Sequence, residues 1–343
     1  MTILNVAYPF APVSLDAIGG AEQVLAMIDS GLVSAGMESI VVGAKGSRIS
    51  GALIELQASQ IIDDDARDLT YRCYAQGILE TIAQRRVDLV HMHGVDFAQY
   101  IPDAGVPVLV TLHLPFDYYQ HPLSHWHHTV FNAVSEWQWR QCAVDIPIEI
   151  VCNGVDTEAL FPVSLKEDFV LTLGRICPEK GFHLALDAAA AAGVDCILAG
   201  QVYGYADHRR YFSGEILPRL DDHRRFIGPI AGALKRHLLS AAKCVLIPSL
   251  VAETSSLVGM EALACGTPVV AFRQGALADI VSHKRTGFLV EDAEEMAGAI
   301  REVDDIDPRA CREEACRRFS AKQMVRNYLD LYKYIIGTGL QSS

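Results

Sequence analysis

Short apolar runs alternate with stretches of helical periodicity along the whole chain. Ile3 to Tyr8 is apolar, and Val24, Leu25, Ile28 and Leu32 recur at helical spacing between Ala21 and Gly36. Ser39 to Val42 predicts a second strand, and the stretch around Leu69 to Arg86 a second helix. VDLVHMH, PVLVTLH, TVFNAVS and IEIVCN predict four more short buried strands. From Asn153 to Lys166 the chain carries turn chemistry, a proline and no periodicity, which puts a domain junction there. The alternation then restarts. DFVLTLG, VDCILAG, RRFIGPI, CVLIPS and PVVAF predict strands, separated by helices near Phe182 to Ala192, Ala206 to Leu217, Gly232 to Ala242 and Ser256 to Cys265. After Phe288 to Val290 the rest is helical, with a last run from Ala321 to Ile336. The pattern is α/β: two doubly wound parallel sheets, in residues 1–155 and 165–320, with ligands expected at the carboxyl ends of their strands in a cleft.

A chain of 343 residues is long enough for two such cores. Its formal charge of −13 argues against a nucleic-acid partner or an anionic membrane surface, since phosphate binding needs clustered cations. The nine cysteines are scattered and contain no CxxC pair, which fits reduced cytosol better than a disulfide framework or a zinc ribbon. MTILNVAYPF has no basic segment before its apolar residues and so does not read as a signal peptide. The most apolar long segment, Phe182 to Ala199, is interrupted by His183, Asp187, Gly193 and Asp195 and cannot be a transmembrane segment. A cytoplasmic location is the expectation.

The richest stretch for chemistry is Pro248 to Val270, PSLVAETSSLVGMEALACGTPVV, which reads as strand end, loop, short helix, turn and strand. Thr254, Ser255 and Ser256 are N-cap types, and Gly266 with Pro268 supplies a stop. Glu253 lies in the loop and Glu261 on the helix. On one helix their spacing would correspond to about 12 Å. Paired acids acting on one glycosidic bond need about 5 to 9.5 Å. The spacing suits instead two hydroxyl-binding carboxylates at opposite ends of an elongated ligand, with free helix N–H groups between them for an anion. A nucleoside diphosphate sugar has that shape.

Other strand ends add to this. Gly19 and Gly20 precede the first helix and allow close backbone approach to an anion, although the GxGxxG dinucleotide fingerprint is absent. Arg175 ends the first strand of the second half and Lys180 precedes the next helix, both well placed for a diphosphate. His113 ends PVLVTLH, where it could meet a sugar hydroxyl or phosphate, whereas His91 and His93 read as structural. His121, His125, His127 and His128 cluster without defined zinc spacing. With Trp126, Tyr118 and Tyr119 the same stretch could line an acceptor groove.

These residues carry a family likeness. ETSSLVGMEALACGTPVV, with its E-x7-E spacing and the preceding VLIPS, resembles the retaining glycosyltransferases of the GT-B fold, in particular family 4 (glycosyl transferases group 1). So do LGRICPEKG, NGVD at Asn153 to Asp156, GGAE at Gly19 to Glu22, and VTLH ending in His113. The resemblance implies two Rossmann-like domains facing across a cleft, the donor held mostly by the second, and a last helix, residues 321–343, that crosses back to the first. It implies that Arg175 and Lys180 bind the donor diphosphate and that Gly20 closes on it. Glu261 would bind the ribose hydroxyls, Glu253 the transferred sugar, and backbone at Gly228 to Ile230 the base. His113 would contact the sugar near the reacting carbon, and N–H groups at Ser255, Ser256 and Leu257 would serve the β-phosphate and sugar. Where the family commonly has Pro-Phe-Gly after its first glutamate, this chain has Thr254, Ser255 and Ser256.

The implied reaction is transfer of a sugar from a nucleoside diphosphate sugar to an acceptor hydroxyl, with retention of configuration. Uridine is favoured as the base on prevalence, guanosine stays open, and the acceptor is not legible. No DxD-type site stands among the strand ends, so no metal or other cofactor is expected. A nucleotide-sugar epimerase and a non-catalytic nucleotide-sugar-binding protein are the alternatives.

Overall fold

In the computed structural model, residues 1–56, 64–119, 122–126, 128–143, 146–163 and 165–338 are described. They divide into two compact units, one of Met1–Asn153 with Ala321–Ser343 and one of Gly154–Ser320.

The first unit opens with β1 (Thr2–Val6), α1 (Gly20–Ser34), β2 (Glu38–Ala44), β3 (Ala52–Leu56) and α2 (Asp64–Gln84). β4 (Leu89–Met92), β5 (Val108–Leu112), β6 (Thr129–Ala133), α3 (Glu136–Arg140) and β7 (Ile148–Ile150) follow. The seven strands form one sheet in the order β3-β2-β1-β4-β5-β6-β7, and every pair is parallel. β1, β4 and β5 are buried along their whole length, because a parallel sheet is covered on both faces; that is why they read as unbroken apolar runs. β3 departs from the expected pattern. It is an edge strand, mostly half-buried, and carries the exposed Glu55 one residue before its end. Its start is set from a distance: buried Asp29 on α1 accepts hydrogen bonds from the N–H groups of Ser50 at 2.6 Å and Gly51 at 3.2 Å.

The second unit contains β8 (Phe169–Arg175), α4 (Phe182–Ala192), β9 (Asp195–Gln201), α5 (Ala206–Tyr211), β10 (Arg224–Phe226) and α6 (Gly232–Ala241). It continues with β11 (Cys244–Ile247), α7 (Leu257–Ala264), β12 (Val269–Phe272), α8 (Leu277–Ile280), β13 (Gly287–Val290), α9 (Ala293–Glu302) and α10 (Pro308–Arg318). Its six strands are ordered β10-β9-β8-β11-β12-β13, again all parallel. The expected helix from Ala206 to Leu217 is shorter than its pattern: after α5 the chain widens into a π-type turn at Phe212–Ile216 and tightens into a 3-10 turn around Pro218.

The last helix, α11 (Ala321–Thr338), belongs to the first unit. It lies against α1, where a Cβ on Gly31 would sit 2.5 Å from Val325. Tyr332 Oη is 2.7 Å from His91 Nδ1, and Tyr328 Oη is 3.1 Å from Thr111 Oγ1 and accepts from Asn132 Nδ2 at 3.2 Å. All five side chains are buried, so this polar network fixes one seating of α11 on the sheet. Among the described residues, no helix is long and apolar enough to cross a membrane.

Candidate functional site

β8 and β11 are neighbours in the second sheet, which brings the segments after Arg175 and after Ile247 together at the carboxyl ends of the strands. Arg175 is exposed at the end of β8. Cys177 then leads into a single turn, Pro178–Lys180, that ends at Gly181 with φ 64°. A Cβ there would stand 2.3 Å from the Pro248 carbonyl oxygen, so only glycine lets the two loops approach this closely. The Leu250 N–H donates to the Glu179 carbonyl at 2.8 Å. Lys180 is thereby aimed across the gap, with Nζ 2.5 Å from Glu253 Oε1, which also accepts from Ser249 Oγ.

Glu253 is pinned from its other side as well. Its carbonyl accepts from the Ala276 N–H at 2.7 Å, and the adjoining Gly275 has φ 61°. A Cβ on Gly275 would fall 2.3 Å from the Glu253 carbonyl oxygen and 2.4 Å from its nitrogen.

Ser256 caps α7, its Oγ accepting from the Gly259 N–H at 3.4 Å, and Leu257 opens the helix. Glu261 follows on the second turn and is 5% exposed. One of its oxygens, Oε1, is held by Lys235 Nζ of α6 at 2.6 Å. The other, Oε2, is enclosed without a hydrogen-bond partner, and so is Ser255 Oγ. Glu253 lies outside the helix, before its cap. Beyond β10, Gly228 has φ 77°, and its carbonyl accepts from the Gly200 N–H at 2.8 Å at the end of β9; Ile230 is half-buried nearby.

The remaining candidates belong to the first unit. His113 follows β5, half-buried, with Nε2 3.1 Å from His93 Nδ1. Burial pushes the His113 imidazole down to about 4. Burial also holds His93 well below its usual range, helped by His91 and His113. His91 is bonded to Tyr332 and Thr111, and His93 touches His113. Gly19 has φ −77°, so backbone strain is not its reason for being glycine. A Cβ would meet Glu22 Oε2 at 1.8 Å, and Gly20 opens α1 directly after it. An anion binding at this pair would first displace the Glu22 carboxylate. In the histidine-rich stretch, His125 and His128 are exposed, while His121 and His127 lie outside the described residues. Among the described residues neither His125 nor His128 joins a group of three metal-ligating side chains.

A glycine-tightened strand-end turn bearing Arg175 and Lys180, set beside a capped short helix with paired carboxylates, can hold an anion and hydroxyl groups. Residues 167–304, which contain this whole arrangement, match the family described as Glycosyl transferases group 1. Over these residues the chain resembles the group 1 glycosyltransferases. The phosphatidyl-myo-inositol mannosyltransferase of Mycolicibacterium smegmatis is similar to this chain, 27% identical over 298 residues that make up 76% of this chain and 74% of that one. AviGT4, a glycosyltransferase involved in avilamycin A biosynthesis, superimposes with a TM-score of 0.76 at 23% identity over 98% of both chains. Anabaena Alr3699/HepE in complex with UDP and glucose gives 0.74 at 19% identity over 96% of this chain and 99% of that one. The fold is GT-B.

Sequence reasoning missed Lys235. Its neighbours Arg236 and His237 make it look like part of a solvated basic face. A signal was present, since Lys235 stands in the first turn of α6, the end of a helix where a cation is disfavoured unless an anion lies near.

Proposed function

We propose that the enzyme transfers a sugar from a nucleoside diphosphate sugar, a uridine diphosphate sugar in first preference, to an acceptor hydroxyl with retention of configuration. The observation that carries this reading is the pair of enclosed, unpaired polar atoms Ser255 Oγ and Glu261 Oε2 on either side of the α7 cap. Folded proteins leave few such atoms, and each costs about 1–3 kcal/mol. A ligand rich in hydroxyls would recover that cost. Glu261 can only accept, which suits the ribose hydroxyls, and Glu253 suits those of the transferred sugar. Arg175, Lys180 and the N–H groups from Ser255 to Leu257 supply the positive potential for the diphosphate between them. Gly228 to Ile230 are given the base, His113 contact with the transferred sugar, and Gly19 and Gly20 the donor phosphates. The HepE complexes with UDP support a uridine donor on the same fold.

Lys180 is held by Glu253 in this structure, so donor binding exchanges that ion pair for a contact with phosphate. In the reaction the bond from the anomeric carbon to the β-phosphate oxygen breaks. The bond to the acceptor oxygen forms on the same face, and the acceptor proton passes to the departing phosphate oxygen. The protein stabilises the negative charge that develops on the diphosphate, and this reading assigns no step to a metal or other cofactor. A thermal-shift panel of UDP, GDP, ADP and dTDP tests the donor assignment. A nucleotide at 100 times its dissociation constant adds about 2.7 kcal/mol of stability. UDP is expected to give the largest shift, and no shift with any of the four sinks the reading.

A further inference from the structure

The turn that carries Lys180 also carries two side chains that sugar transfer leaves unused. Cys177 is buried and Glu179 exposed, two positions apart, and His208 of α5 is buried beside them. The thiol sulfur, a carboxylate oxygen and an imidazole nitrogen of these three residues all lie within 4.8 Å of one another. Independently, His208 Nδ1 is enclosed without a hydrogen-bond partner. The Tyr205 ring lies 5.1 Å from the imidazole and the Tyr203 ring 6.2 Å, walling it in.

Sulfur, imidazole nitrogen and carboxylate oxygen together form a donor set for Zn2+ and its near relatives, whereas Mg2+ and Ca2+ take oxygen ligands. Metal–ligand bonds of about 2.0–2.3 Å in a tetrahedron put ligand atoms about 3.5 Å apart. Closing the observed separation takes little more than about 1 Å, within reach of side-chain rotation. The single thiol proton is offered to two acceptors, the Arg175 carbonyl at 3.4 Å and the Glu179 carboxylate.

We propose that Cys177, Glu179 and His208 form a site for a divalent ion of the Zn2+ class, with the fourth position left to water. On binding, the sulfur–metal bond replaces the sulfur–hydrogen bond, and the thiol proton goes to solvent. The ion would tie the Pro178–Lys180 turn to α5 and so hold the turn that delivers Lys180 to Glu253.

The test is titration of the donor-free full-length protein with Co2+, in a Cys73→Ser/Cys316→Ser background that removes the two exposed thiols. One equivalent should give a thiolate-to-Co2+ charge-transfer band, and Zn2+ should displace it. Cys177→Ser should abolish the band. Glu179→Gln, an exposed change that leaves the core untouched, and His208→Gln should each weaken Co2+ binding at least about tenfold. Absence of the band at one equivalent overturns the proposal. So does a band whose titration is the same in the Glu179→Gln and His208→Gln proteins. Because no nucleotide is present, the outcome is independent of the donor assignment.

Discussion

His93 Nδ1 and His113 Nε2 are 3.1 Å apart, a distance at which one proton is shared between two neutral imidazoles. The remaining nitrogen of His93, Nε2, is enclosed with no partner. A bare nitrogen there costs less than a stranded N–H, so His93 carries its proton on Nδ1 and donates it to His113. His113 is therefore protonated on Nδ1. Nitrogen-15 spectra of the imidazoles should show both rings in this form between pH 6 and 8. Removing the donor with His93→Ala loses one buried hydrogen bond, about 0.5–1.5 kcal/mol. If His113 contacts the sugar, kcat/KM falls about 2- to 12-fold; unchanged kinetics separate His113 from the reaction.

The same burial makes the first unit acid-sensitive. His91, His93 and His113 all bind protons more weakly when folded than at their ordinary value near 6.5. Unfolded chain therefore takes up protons first. Stability is complete above about pH 6.5 and is lost as pH falls from there towards 4, with a slope of at most about 1.4 kcal/mol per pH unit for each histidine. His223, exposed in the second unit and raised by Asp195, has the opposite sign. The two effects can be resolved, because Trp126, Trp137 and Trp139 are the only tryptophans and all lie in the first unit. Denaturant midpoints read by tryptophan fluorescence should drop between pH 7 and pH 5, and a flat profile contradicts this account.

Arg175→Ala and Lys180→Ala remove charge opposite the departing diphosphate. By analogy with the loss of one preorganised donor, each should cost about 2.7–4 kcal/mol in the barrier, or about 100- to 1,000-fold in turnover. Turnover within a few-fold of wild type would show that the diphosphate is held elsewhere.

Lys235→Met leaves the Glu261 carboxylate buried and unpaired, which should cost about 3 kcal/mol in the second unit. Lys235→Met with Glu261→Leu should recover most of that stability while abolishing the nucleotide-induced thermal shift. Unfolding followed by far-ultraviolet circular dichroism separates the two variants. Equal stability of Lys235→Met and wild type would mean that the pair contributes nothing.

Gly275→Ala tests whether Glu253 works through its position. The added methyl would meet the Glu253 backbone at 2.3 Å, on a residue whose φ of 61° already costs a side chain about 1–2 kcal/mol. At least a tenfold fall in kcat/KM is expected with the protein still folded, whereas Ala278→Gly, in the helix just beyond, should leave kcat/KM near wild type. Full activity in Gly275→Ala would mean that the loop can move without consequence.

The strands were legible where burial on both faces forces continuous apolar residues, as in Thr2–Val6 and Val108–Leu112. Ala52–Leu56 was not, because an edge strand needs no such run and its start depends on Asp29, more than twenty residues away. The glutamates of the E-x7-E stretch were visible through the cap and stop signals around them. Their lysine partners were not equally visible: Lys180 stood beside a helix start, but Lys235 is matched to Glu261 only through the packing of α6 near α7. The cluster at Cys177 was hidden for the same reason, since His208 reaches it from another element and no spacing rule joins them.

The seating of Tyr328 and Tyr332 on His91, Thr111 and Asn132 has a consequence for synthesis. Residues 1–153 leave the ribosome before the second unit, but the helix that completes their polar network follows only after the whole second unit. At about 5 to 20 residues per second, that interval lasts on the order of 10 to 30 s. Throughout it the nascent first unit exposes a sheet face on which His91, Thr111 and Asn132 bond one another but lack their two tyrosines, while the second unit has every segment it needs to fold. The first unit is thus completed only after the second, and its early exposed face is where a chaperone would have its opportunity to bind.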